Sequence, residues 1–118
     1  METNKQQKNT KKQKENKGNT EYFDDIVEYR IERIREVLTS KAKEYATNDD
    51  RFHNFRQAAR INNTTTEKAL WGMLLKHLVS VLDIVNDTPK KPFKEFIDEK
   101  IGDTINYLIL LEGLLKEK

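Results

Sequence analysis

The run Asp98-Glu99-Lys100-Ile101-Gly102-Asp103-Thr104-Ile105-Asn106-Tyr107 passes without a turn signal into Leu108-Ile109-Leu110-Leu111. Read as a helix, it places Glu99, Asp103 and Asn106 in one narrow stripe, because positions i, i+4 and i+7 stack on the same side. Most of the other positions, Ile101, Ile105, Leu108, Leu111 and Leu115, are apolar. A helix that is apolar around most of its girth is expected to be buried. Its carboxylates then need a cationic partner, a metal or a water-filled pocket, since an unpaired buried charge is very costly. The chain must therefore supply other helices to cover this one.

The rest of the sequence provides them. The periodicity changes sharply at Tyr22, and Phe23, Ile26, Val27, Ile31, Ile34, Val37, Leu38, Ala42 and Tyr45 recur at three and four. That spacing predicts an amphipathic helix of 20 to 25 residues, capped by Thr20 or Asp24 and ending near Ala46 at the turn-forming Thr47-Asn48-Asp49-Asp50. A short helix follows over Arg51 to Arg60, with Phe52, Phe55 and Ala59 on one side and Ile61-Asn62-Asn63 as its stop. Thr64 with Glu67 forms a capping box for a third helix. Leu70, Trp71, Leu74, Leu75, Leu78, Val81, Leu82 and Val85 give that helix a wide apolar face, and Gly72, Lys76, Ser80 and Asp83 make its polar stripe. Asn86-Asp87-Thr88-Pro89 ends it, and the last helix is expected from Phe93 to Lys116. No segment alternates with period two. The predicted fold class is all-α, a helical bundle of three long helices and one short one.

Residues 1–20 hold six lysines and two glutamates, a net +4, with no aliphatic or aromatic side chain beyond Met1. Such a segment has nothing to bury against its ordering entropy, so it reads as a disordered basic tail, and 21–118 as a single helical domain. The whole chain of 118 residues carries only +2, which argues against a dedicated nucleic-acid surface beyond weak contact through the tail. The absence of cysteine removes disulfides and thiolate metal sites and is compatible with a reduced, cytoplasmic setting. No unbroken apolar run has the length of a membrane span, the N-terminus lacks a signal-peptide core, and no membrane partner is expected.

The familiar catalytic signatures are missing. There is no phosphate-binding glycine loop, no dinucleotide fingerprint and no nucleophile elbow. His53 and His77 lie on separate segments without the i, i+4 pairing of a helical zinc site. Catalysis, if present, falls to carboxylates with a hard divalent cation. For Glu99 and Asp103 the plainer reading is a solvated edge or a salt bridge to Lys76 or Arg56. For Asp83 and Lys76 it is an ion pair. Phe52, Phe55 and Trp71 read as core or as a stacking platform for a base.

Several blocks resemble a known family. Lys43-Glu44-Tyr45-Ala46, Arg51-Phe52-His53-Asn54-Phe55-Arg56-Gln57-Ala58-Ala59, Leu70-Trp71-Gly72-Met73-Leu74-Leu75-Lys76-His77, and Asp98 to Asp103 with Asn106-Tyr107 are similar, in order, to blocks of the nucleotide-modification-associated domain (type 1) family of small phage and prophage proteins. That family is in turn similar to the all-α nucleoside triphosphate pyrophosphatases of the MazG-like and dUTPase/dCTPase-like group. The resemblance covers residues 40–115. It implies a helical, oligomeric, cytoplasmic protein of a phage-infected bacterial host that binds Mg²⁺ through two acidic motifs. Aligned so, the carboxylates in or near register are Asp83, Glu99 and Asp103, while Val79, Ser80 and Lys100 stand where the family has acids. The expectation is a nucleotide-binding protein. Asp83, Glu99 and Asp103 are its metal-binding and catalytic residues, Lys76 faces phosphate, and Asn54, Asn106 and Tyr107 contact the ligand. If it turns over, the reaction is hydrolysis of a nucleoside triphosphate to monophosphate and pyrophosphate. The alternatives are a non-catalytic phage protein that sequesters a nucleotide signal or blocks a host defence protein, and a helical oligomerisation module.

Overall fold

The computed structural model describes residues 18–41, 50–86 and 94–117, with the side chains of residues 40 and 41 excepted. The basic tail through residue 17, the Lys43–Ala46 block and the loop at residues 87–93 lie outside the described residues. The chain is all-α, and no strand occurs among the described residues. The helices are α1 (Asn19–Arg35), α2 (His53–Asn62), α3 (Thr66–Asn86) and α4 (Lys94–Lys116), three long and one short as the periodicity predicts.

The chain divides into two units, Met1–Arg33 and Ile34–Lys118. In the first, α1 begins at Asn19, so Thr20, expected as a cap, lies inside the helix. No residue of α1 is buried, and Tyr22, Phe23, Ile26 and Val27 are exposed. Past Arg35 the backbone widens into a π-helical segment, Glu36–Lys41. Thr39 Oγ1 donates to the Arg35 carbonyl there, and the Arg51 guanidinium donates to the Leu38 carbonyl. Such side-chain donors take up carbonyls that the wider turn no longer satisfies in α-helical register. The predicted end near Ala46 falls outside the described residues.

In the second unit α3 packs against both α2 and α4. Leu70, Leu74 and Leu114 are fully buried, Phe55 is nearly so, and Phe52, Met73, Tyr107, Leu110 and Leu111 pack around Phe55, Leu70 and Leu114. The turn between α2 and α3 is set by Asn63, whose φ of 53° and ψ of 53° are left-handed. Its N–H returns to the Arg60 carbonyl, and that of Thr64 to the Ala59 carbonyl. Asparagine tolerates this conformation better than other residues with a Cβ, and the two returning bonds close the end of α2. The cap of α3 is Thr65, whose Oγ1 accepts from the Lys68 N–H at 3.2 Å. This corrects the predicted Thr64 cap by one residue. Two residues of reversal, Asn63 and Thr64, must pass before a threonine is placed to face the first free N–H groups of the new helix.

The last helix departs from the expectation of burial on all sides. Only Gly102 and Leu114 are buried, while Phe96, Leu108, Ile109 and Leu115 are exposed. α4 is covered along the strip that meets α3, and within the second unit three helices do not encircle it. Trp71, read as core or stacking platform, is 47% exposed, because it sits on the flank of α3 that turns away from Leu70 and Leu74. By length and composition alone α3 is apolar enough to cross a membrane. Lys76 and Asp83 divide this helix into shorter pieces, so it contains no unbroken apolar run of that length.

Candidate functional site

α3 and α4 run antiparallel: Leu70 shares a cluster with Leu114, and His77 faces Asp103. The facing residue numbers thus fall on one helix as they rise on the other. At the His77 level three side chains meet. Asp103 Oδ2 lies 3.7 Å from His77 Nδ1. The Tyr107 ring, one turn on from Asp103, stacks on the imidazole with centroids 4.7 Å apart and planes tilted by 33°. Phe55 of α2 meets the other part of Tyr107 edge-on, at 6.0 Å and 73°. The His77–Asp103 distance is too long for a hydrogen bond, so this contact strengthens only when the imidazole is protonated. Burial, and then the neighbouring Asp103 carboxylate, raise the Tyr107 phenol above its ordinary value of 10.

Asn106 stands in the same stripe as Asp103. Its Oδ1 atom is buried and has no hydrogen-bond partner among the described residues. A buried amide oxygen left without a donor costs roughly 1–3 kcal/mol, so one that persists invites a functional reading.

The three acids read as a metal set do not converge. Asp83 is level with Glu99 along the antiparallel pair, but six residues beyond His77 at about 100° each carry it about 120° around α3. It is exposed, and no ion pair joins it to Lys76 among the described residues. Glu99 is also largely exposed, its side chain 61% accessible, and its partner is the adjacent Lys100 at 3.8 Å. Asp103 alone turns toward another helix. Among the described residues no group of three histidine, aspartate or glutamate side chains is placed to hold a metal ion. The described residues therefore do not gather around one point the several oxygen ligands that a Mg²⁺ cage needs. Of the stripe of carboxylates on α4, the one that meets another helix is the half-exposed Asp103, beside His77. Neither Lys76 nor Arg56 pairs with Glu99 or Asp103.

Of the predicted ligand contacts, Asn106 and Tyr107 share the His77 level, and Lys76 lies exposed beside it in sequence. Asn54 is exposed on α2 and joins none of them. His77 is the residue the sequence reading discarded, because it was weighed as a zinc ligand and not as a stacking partner. The signal that would have found it is the match of i, i+4 pairs, Asp103 and Tyr107 on α4, to one ring on the opposed helix.

Arg56 is committed elsewhere. Its Nε donates to Asp50 Oδ2 at 2.7 Å, and its Nη2 to both oxygens of Glu117 at 2.9 Å. Asp50 Oδ1 also accepts from the Phe52 N–H at 3.0 Å. The Arg56 hydrogen bond first, then the Phe52 amide, hold the Asp50 carboxyl below its ordinary value. This hub ties the start of α2 to the end of α4. An open groove of about 480 Å³ lies beyond it, lined by Arg56, Ala59, Arg60, Asn63, Thr64, Thr65 and Thr66. Eleven residues of rise separate Thr66 from His77, about 16 Å along α3, so the groove is not continuous with the His77 cluster.

No family model, curated protein or solved structure matches this chain.

Proposed function

We propose that this chain binds a nucleotide or nucleotide derivative on the polar strip between α3 and α4, and that it does so without a resident metal. The observation that carries this reading is the buried Asn106 oxygen lacking a hydrogen-bond partner among the described residues, one position before Tyr107, whose ring stacks on His77. An unpaired acceptor beside flat rings suits a base, which brings N–H donors on its edge and a π face. Lys76, a compact cation on the exposed side, suits the phosphate. The resemblance of four sequence blocks to a nucleotide-linked phage family supports the same ligand class. Pyrophosphohydrolysis is the weaker half of that resemblance, since Asp83 stands apart from Glu99 and Asp103. The reading is therefore of a binder, in keeping with sequestration of a nucleotide.

The test is thermal denaturation with common and modified nucleoside triphosphates, with and without Mg²⁺, alongside assay for released pyrophosphate. At least one nucleotide raises the Tm, Asn106→Ala and Lys76→Ala each remove the shift, and no pyrophosphate forms. No shift with any nucleotide sinks the reading, and pyrophosphate release that Asp103→Asn abolishes restores the enzyme.

A second reading, a helical interaction module, is favoured by the exposed apolar side chains of α1, Tyr22, Phe23, Ile26 and Val27. Contiguous exposed apolar surface on a small protein marks a contact site. A host protein is one such partner.

A further inference from the structure

We draw no further inference here: the strongest candidate, the exposed apolar surface patch of Trp71, Leu75, Val79 and Leu82 on the outer flank of α3, carries none because nothing in the structure shows what covers it.

Discussion

Asp50 accepts two hydrogen bonds, from the Arg56 guanidinium and the Phe52 amide, and both favour its charged form. A carboxylate with a lowered folded-state pKa stabilises the fold above its unfolded value, and that stabilisation is lost as pH falls through the folded value. Glu112, held low by Lys116 one turn on, acts in the same direction. The protein is therefore expected to lose stability on acidification below about pH 4, and Asp50→Asn to flatten part of that loss, as read by urea midpoints across pH. Both groups are solvent-exposed, so the effect is modest and weakens in salt. Tyr107 carries the opposite sign. Its raised phenol disfavours ionisation in the folded state, so it stabilises below about pH 10 and the contribution fades as pH climbs above that. Ultraviolet titration of wild type minus Tyr107→Phe should place this phenol above ordinary tyrosine. Asp103→Asn should bring it only part of the way back, because burial is the larger cause. Little of this was legible in the sequence. Arg56 was offered as a partner for Glu99 or Asp103, and only the fold decides that Asp50 and Glu117 reach it first.

At the level of elements, periodicity sufficed to place α2, α3 and α4 within a few residues, since each carries a row of apolar side chains at three and four. What it did not supply was which part of a wide row is inside. Leu70 and Trp71 are neighbours in sequence and equally apolar, yet one is sealed and the other half open. The difference is set by the strip where α4 lies, a property of the pair and not of either helix. The same reason explains the misread girth of α4. Substitutions should separate the two flanks of α3. Leu70→Ala or Leu74→Ala, each fully buried, is expected to cost about 2–5 kcal/mol by denaturant unfolding. Leu82→Ala, more than half exposed, should change the midpoint far less at concentrations where the chain is monomeric. The cap gives a finer check. Thr65→Ala is expected to cost about 1 kcal/mol and Thr64→Ala close to nothing, because only Thr65 Oγ1 meets an amide of α3. An equal cost at both positions would return the cap to the box first read from the sequence.

On the scale of the molecule, a small core coexists with long apolar rows left in solvent. Leu70, Leu74 and Leu114 close the centre of one unit, while α1, the outer flank of α3 and parts of α4 remain uncovered. The resemblance implies a site at Asp83, Glu99 and Asp103; of these only Asp103 faces another helix, beside a histidine that no motif had marked. His77, Asp103, Asn106 and Tyr107, far apart in sequence, fall at one level because α3 and α4 run antiparallel. The most direct measurement is a set of amide and side-chain NMR shifts recorded while a nucleoside triphosphate is titrated into the full chain. The Asn106 side-chain amide is expected to move first, with His77, Tyr107 and Lys76. Shifts confined to the Arg60–Thr66 groove, or none at any nucleotide concentration, would contradict it.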